Sequence, residues 1–183
     1  MTKTKTAPRP KKGPAGKKTS PPASAKTPAI AVPIIGIGAS AGGLEAFEQF
    51  FRAMPADSGM AFVLVPHLDP DHASMLSEIL QRNTTMPVLE IMDQTPVSPD
   101  HVYIIPPNRD LAIFHGVLQL STAERTHGQR LPIDSFFRSL AEDQGELSIC
   151  VILSGSGSDG TLGLRAINGA GGVSFVQEPS TAK

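Results

Sequence analysis

Three short segments of this 183-residue chain could together form a serine hydrolase site. Ser40 follows the strand-like run PIIGIG, His67 follows MAFVLVP, and Asp159 lies in the glycine-rich turn after LSICVIL. A serine hydroxyl is a weak nucleophile at neutral pH and needs an adjacent base, which a histidine supplies. An aspartate that orients the imidazole completes a catalytic triad, and a triad is defined by geometry rather than by chain order. The order Ser–His–Asp nevertheless differs from that of the α/β-hydrolases.

The turn around Ser40 fits two fingerprints at once. Gly36-x-Gly38-x-x-Ala41 fits the dinucleotide-binding turn, and Gly38-x-Ser40-x-Gly42 fits the nucleophile elbow. A dinucleotide site also requires an acidic residue at the end of the second strand, where this chain has the letters VPHL. We therefore favour a nucleophilic serine, and nucleotide binding is an alternative that calorimetry with a dinucleotide would exclude.

A metal site is a second alternative. His67, Asp71 and His72 resemble part of the H-x-H-x-D-H motif of metallo-β-lactamase-like hydrolases, but Asp69 stands where the second histidine belongs. Helix capping explains the acidic residues more simply, with Asp69 as N-cap, Pro70 in the first turn and Asp71 complementing the helix dipole. The sequence thus predicts neither a metal nor another cofactor.

The elements that must position these residues alternate between strand and helix patterns. Such alternation predicts an α/β fold, here a three-layer, doubly wound, mainly parallel and Rossmann-like sheet with a small β-hairpin insertion. In such sheets ligands bind at the carboxyl ends of the strands, where Ser40, His67 and Asp159 lie. The predicted strands are 33–38, 60–66, 86–91, 101–106, 147–153 and 173–177, the hairpin is 111–120, and the predicted helices are 44–54, 72–83, 132–145 and 160–172.

Charge divides the chain into two parts. Of 16 basic and 17 acidic residues, eight basic and no acidic ones lie in residues 1–28, so the remainder has a formal charge of −9. We predict a disordered, Lys- and Pro-rich tail over 1–32 and one domain over 33–183. No apolar run is long enough to span a membrane, the single Cys150 is expected in the core, and the composition fits a cytoplasmic protein. We expect neither nucleic-acid binding nor membrane insertion.

Five segments together resemble the catalytic domain of CheB-type protein-glutamate methylesterases, and the likeness extends over about residues 33–180. The segments are GIGASAGGLEAF, FVLVPHLDPDH, HVYIIPPNRDL, RLPIDSFFRSLAEDQG and VILSGSGSDGTLGLRAI. The sequence of these segments is most similar to the version in large hybrids that join a methylesterase to a methyltransferase.

The resemblance implies a serine esterase that demethylates glutamyl methyl esters on the cytoplasmic helices of chemoreceptors and deamidates receptor glutamines. It implies Ser40 as nucleophile, His67 as base and Asp159 as the residue that orients the base. Backbone N–H groups at Ala41, Ser156 and Gly157 are the candidate oxyanion donors. No cofactor is implied, and a protein-glutamate methyltransferase is a candidate partner.

The chain also departs from the family pattern. Pro66 replaces a common glutamine and so lacks a side-chain amide and a backbone donor beside His67, and Ser156 replaces a common Met or Thr. Residues 1–32 show no receiver-domain pattern, and from the ending VQEPSTAK we expect a C-terminal truncation. These departures motivate the alternative of a catalytically impaired interaction module that binds receptors or a methyltransferase.

Overall fold

The structure is a computed structural model that describes Met1 and residues 32–40, 42–67, 70–122, 130–155 and 157–182. In chain order the elements are β1 (Ile34–Ala39), α1 (Gly43–Ala53), β2 (Ala61–Pro66), α2 (Pro70–Gln81), β3 (Val88–Glu90), β4 (Thr95–Pro96), β5 (His101–Ile104), β6 (Arg109–Phe114), β7 (Val117–Thr122), α3 (Pro132–Gln144), β8 (Ser148–Ile152), α4 (Thr161–Gly169) and β9 (Val173–Val176). Short 3-10 turns occupy Gly145–Leu147 and Pro179–Thr181.

Six of the strands form one sheet in the order β3-β5-β2-β1-β8-β9, and every pairing in it is parallel. The central strands β1 and β2 are buried along almost their whole length. Continuous apolar runs of this kind are typical of strands covered on both faces. The sheet therefore places β2, β1 and β8 side by side at its centre, with their carboxyl ends on one edge.

Each face of the sheet has its own apolar core. On one face, Phe47 and Phe51 of α1 and Leu80 of α2 pack with the β1 and β2 side chains that point that way. On the other face, α3 and α4 pack with the remaining strand side chains and with the small sheet. The three layers confirm the predicted doubly wound α/β class.

The hairpin that the sequence predicts is part of a three-stranded antiparallel sheet, in the order β4-β7-β6. The hairpin turns at His115 and Gly116, both with positive φ. The sequence analysis did not predict β4, because a two-residue strand is too short to show alternation. Asp143 of α3 accepts hydrogen bonds from the backbone N–H groups of His115 and Gly116, which ties the hairpin to the domain.

The two glycines of β1 allow α3 to pack closely against the sheet. A Cβ on Gly36 would lie 2.8 Å from Phe137 Cε1, and one on Gly38 would lie 2.6 Å from Ile133 Cγ2. Both contacts are shorter than real Cβ contacts, so side chains at these positions would push α3 away. The glycines before Ser40 thus bring the first turn of α3 to the carboxyl end of β1.

The outer strand β9 carries exposed apolar side chains, and Phe175 and Val176 are 56% and 62% exposed. Cys150 is fully buried in β8, as predicted, and burial raises the pKa of its thiol despite a hydrogen bond to Ser174. Within the described ranges, no helix has the length and apolar composition needed to cross a membrane.

Candidate active site

The carboxyl ends of β2, β1 and β8 bring the three predicted site residues to one edge of the sheet. In the ladders, Ala39 pairs with Pro66 and Gly38 pairs with Ile152, so the segments after these residues leave the sheet together. Ser40, His67 and Asp159 all line the cleft that opens there. The parallel register, which the sequence analysis could only assume, is the reason that they meet.

His67 and Asp159 form a direct pair. His67 Nε2 lies 2.7 Å from Asp159 Oδ2, with the His67 side chain 32% exposed and that of Asp159 5% exposed. The His67 backbone N–H donates to Ala39 O at 2.8 Å, which fixes the residue beside β1. Because a neutral imidazole donates from one nitrogen and accepts at the other, the Nε2–H bond to the carboxylate leaves Nδ1 as the basic atom.

Asp159 is held at the first turn of α3. Its Oδ2 accepts the Ile133 N–H at 3.1 Å, and its Oδ1 accepts the Asp134 N–H at 2.9 Å. Burial alone raises the pKa of Asp159, but the hydrogen bonds from His67 and from these two backbone groups outweigh it, so that its pKa is lowered. The carboxylate therefore stays ionised beside His67, where it can orient the ring and stabilise an imidazolium.

This position of Asp159 differs from the simpler role that its sequence context suggests. An Asp just before a helix commonly caps that helix. Here Gly160 is the N-cap of α4, with φ 97° and no side-chain cap hydrogen bond, and the carboxylate caps α3 instead. The Asp159 side chain thus points toward the cleft and His67, away from its own helix.

Ser40 is positioned through its backbone. Its N–H donates to Ser154 O at 2.8 Å, and its carbonyl accepts the Gly43 N–H at 2.9 Å at the start of α1. Gly155 lies so close that a Cβ there would be 2.7 Å from Ser40 Cβ. The turn after β8 therefore packs directly against Ser40.

Within the described residues, Ser40 Oγ makes no hydrogen bond, so the Ser–His contact of a working triad is not closed here. Catalytic hydrogen bonds are often long without substrate and tighten only in the complex. The nitrogen of His67 that Asp159 leaves available is Nδ1.

Two residues that the sequence analysis missed support the Ser40 turn. Ser154 is 3% exposed, and its backbone N–H donates to Gln177 Oε1 at 2.7 Å. Gln177 lies just past β9, its N–H donates to Ile152 O, and its Nε2 donates to Thr181 O at 3.1 Å. The rule that sites gather after strand ends could have identified Gln177, had it been applied to β9 as well.

The candidate oxyanion donors are placed only in part. Ala41 and Ser156 lie outside the described residues. Gly157, with φ 141°, lines the cleft beside Ser40. The Ser40 N–H itself is used by Ser154 O, so it is not free to bind an oxyanion.

Pro66 does not disturb the backbone of His67. The backbone donor on the β1 side is the His67 N–H, which keeps its bond to Ala39. On the other side β5 ends at Ile104, and the Ile105 N–H donates to Leu64 O, so the ladder stops beside Pro66. A proline is tolerated at such a position because no ladder hydrogen bond depends on its missing N–H.

Of the three side chains on which the metal alternative depends, the structure describes only that of His67. Asp69 and the side chains of Asp71 and His72 lie outside the described part of the chain. Among the side chains that are described, no group of three or more His, Cys, Asp or Glu could hold a metal ion.

Comparisons with known proteins identify the family of this chain. The family model described as CheB methylesterase matches residues 35–183. A protein-glutamate methylesterase/protein-glutamine glutaminase 2 of Pseudomonas aeruginosa is 32% identical over 166 residues, which cover 88% of this chain and 47% of that protein. An uncharacterized 104.1 kDa protein of Rhodobacter capsulatus is 39% identical over 108 residues, covering 59% of this chain and 11% of that protein.

The fold is also that of a solved family member. The crystal structure of the Thermotoga maritima CheB methylesterase catalytic domain superposes with a TM-score of 0.77 and 27% identity, covering 84% of this chain and 83% of that one. The chain spans about half the length of the Pseudomonas relative. By its sequence and its fold, the chain belongs to the CheB methylesterase family.

Proposed function

We propose that this chain is a serine carboxylic-ester hydrolase that removes methyl groups from glutamyl methyl esters of chemoreceptors. The observation that carries the proposal is the His67–Asp159 pair at 2.7 Å, next to Ser40 at the carboxyl edge of the sheet. The name of the Pseudomonas relative supports both the ester substrate and a second activity on glutamine side chains.

In the first half-reaction, Ser40 Oγ attacks the γ-carbonyl carbon of the methyl ester while His67 Nδ1 takes the hydroxyl proton. The resulting imidazolium is stabilised by Asp159, which is already ionised. Collapse of the tetrahedral intermediate breaks the carbon–oxygen bond to the methoxy group. The proton on His67 passes to that oxygen, so methanol leaves and an acyl-enzyme remains.

In the second half-reaction, water adds to the acyl carbon as His67 Nδ1 takes one of its protons. Collapse releases a glutamate carboxylate and returns the proton to Ser40 Oγ. A receptor glutamine would follow the same path, with ammonia leaving in the first step. The oxyanion of both intermediates would be met by backbone N–H groups at the turns containing Ala41, Ser156 and Gly157.

The proposed substrates are the cytoplasmic helices of chemoreceptors, which implies a cytoplasmic protein, and a protein-glutamate methyltransferase is a proposed partner. The alternative of an impaired interaction module was motivated partly by Pro66. Because His67 keeps its strand bond and its aspartate, that motive is removed. The esterase is therefore the function that we favour.

The test uses the wild type with Ser40→Ala and Ser121→Ala, the latter a control at an exposed position of β7. Methanol release from methylated receptor and labelling by a fluorophosphonate are both measured. We expect Ser40→Ala to lose about 10⁴-fold or more in methanol release and all labelling, with Ser121→Ala unchanged. Equal release by wild type and Ser40→Ala would refute the assignment.

A further inference from the structure

The first turns of α3 and α4 exchange caps. Asp159, just before α4, accepts hydrogen bonds from α3, and Asp134 of α3 accepts one from α4. From this exchange, and resting on the proposed function, we infer that Asp134 is a positioning residue that fixes Asp159 in the orientation that serves His67. Asp134 is not one of the described residues that line the cleft, and its side chain bonds to Gly163 of α4. Its effect on catalysis passes through Asp159.

The exchange is reciprocal. Asp159, directly before α4, accepts the N–H groups of Ile133 and Asp134 in the first turn of α3. Asp134 in turn accepts, through Oδ1, the Gly163 N–H in the first turn of α4 at 2.7 Å. The first N–H groups of a helix have no partner within the helix. Neither helix has a side-chain cap at its own N-cap residue, so each takes its acceptor from the other.

The two links form a closed ring that contains Asp159. The ring runs from the Asp159 carboxylate to the Asp134 backbone, through the Asp134 side chain to Gly163, and back along the chain to Asp159. One link alone would let Asp159 swing with the start of α4. Two links fix both the carboxylate and the helix that follows it.

Close packing makes the ring rigid. A Cβ on Gly163 would lie 2.5 Å from Phe137 Cβ and 3.2 Å from Asp134 Cα, so only a glycine lets α4 approach this near. The Gly163–Asp134 hydrogen bond is itself buried. No water competes for it, and a buried bond of this kind is costly to break.

Burying the polar side chain of Asp134 costs more free energy than burying an apolar side chain at this position would. It is 3% exposed, and among the described residues its Oδ2 has no hydrogen-bond partner. Among the described residues, Oδ1 is therefore the only side-chain oxygen of Asp134 that accepts a hydrogen bond. An asparagine would keep that oxygen and replace Oδ2 with an NH2 group, whereas an alanine would lose the link.

Asp159 Oδ2 is the atom through which Asp134 affects His67. This oxygen accepts hydrogen bonds from both the Ile133 N–H and His67 Nε2. This one oxygen must face α3 and the imidazole together, so a small rotation of the carboxylate weakens the bond to His67. A misplacement of about 1 Å in catalytic geometry can cost about 10²-fold in rate. Asp134 prevents that rotation by anchoring α4.

The experiment compares Asp134→Ala with the matched Asp134→Asn in the full chain. We expect Asp134→Ala to lose about 10- to 100-fold in kcat with KM within about two-fold, because the substrate cleft is untouched. Asp134→Asn is expected to recover most of that loss, because it keeps the oxygen that Gly163 needs. If Asp134→Ala does not fold, Asp134→Leu replaces it, since leucine keeps the branched shape of the side chain and lacks an acceptor.

A double-mutant cycle separates positioning from general destabilisation. In an Asp159→Asn background, Asp134→Ala should cost no more than about two-fold further, since its effect has already been lost. A loss that multiplies in full would show that Asp134 acts elsewhere and would overturn the inference. Wild-type kcat in Asp134→Ala would overturn it as well.

A proton NMR measurement keeps this test distinct from that of the proposed function. The Nε2–H of His67 bonded to Asp159 should give a low-field resonance in wild type and Asp134→Asn, weakened or absent in Asp134→Ala. If the wild type releases no methanol, the proposed function is wrong. The positioning role is then tested by the resonance alone. An undisturbed resonance in Asp134→Ala would refute that role whatever the activity.

Discussion

Replacing Gly155 with alanine tests whether the turn after β8 holds Ser40 in place. The added Cβ would lie 2.7 Å from Ser40 Cβ, 3.1 Å from Ser40 N and 3.3 Å from Ser40 Cα. Carbon atoms in contact are normally about 3.5–4.0 Å apart, so the two segments must separate by about 1 Å. Two of the three atoms that the new Cβ would meet are backbone atoms, so no side-chain rotation relieves the clash.

The separation is expected to lower both kcat and the free energy of unfolding. It stretches the Ser40 N–Ser154 O bond of 2.8 Å and moves the nucleophile relative to His67. A shift of about 1 Å corresponds to a loss of about 10²-fold in kcat, or about 2.7 kcal/mol in the barrier. Overpacking of this kind typically costs about 1–3 kcal/mol in the free energy of unfolding.

The assay measures the rate at which a fluorophosphonate labels Ser40, beside the kcat for methanol release, at a temperature where the variant is folded. Gly169→Ala is the control, because a Cβ on this residue at the end of α4 meets no atom within 4 Å. We expect its labelling rate to be unchanged and its stability unchanged or higher by up to about 1 kcal/mol. Wild-type labelling in Gly155→Ala would refute the reasoning.

Two further predictions concern the support of the site. Gln177→Ala removes the acceptor of the buried Ser154 N–H. We therefore expect the free energy of unfolding, measured in urea, to fall by about 1–3 kcal/mol and the labelling of Ser40 to be slower. A variant that matches the wild type in both measurements would contradict this. Asp159 has a lowered pKa in the folded chain, so the stability that it contributes is present above about pH 4 and is lost as the pH falls through the folded value. The difference in unfolding free energy between wild type and Asp159→Asn should therefore shrink below about pH 4, and a difference that stays constant across acid pH would be contrary to the assigned hydrogen bonds.

The glycines before Ser40 show where interpretation of the sequence was incomplete. In the sequence, Gly38 belongs to both the dinucleotide-binding and the nucleophile-elbow fingerprints. In the structure its missing side chain makes room for Ile133, at the start of the helix whose N–H groups hold Asp159. A fingerprint records that a side chain is absent but does not record which neighbour fills the space.

The sequence by itself determined the alternation of elements and the placement of Ser40, His67 and Asp159 after strands. Periodicity and glycine-rich turns are local properties, and the parallel-sheet rule then assigns all three residues to one edge. Even the bounds of most elements agree to within a few residues with the structure.

Only the tertiary structure decided how those residues are held. The link from Gln177 through Ser154 to Ser40, the caps that α3 and α4 exchange, and the choice of His67 Nε2 as the donor to Asp159 all join elements that are distant in the chain. Such bonds depend on the approach of one helix to another within a few tenths of an ångström. No local pattern encodes that distance, because it is set by the packing of both cores against the sheet.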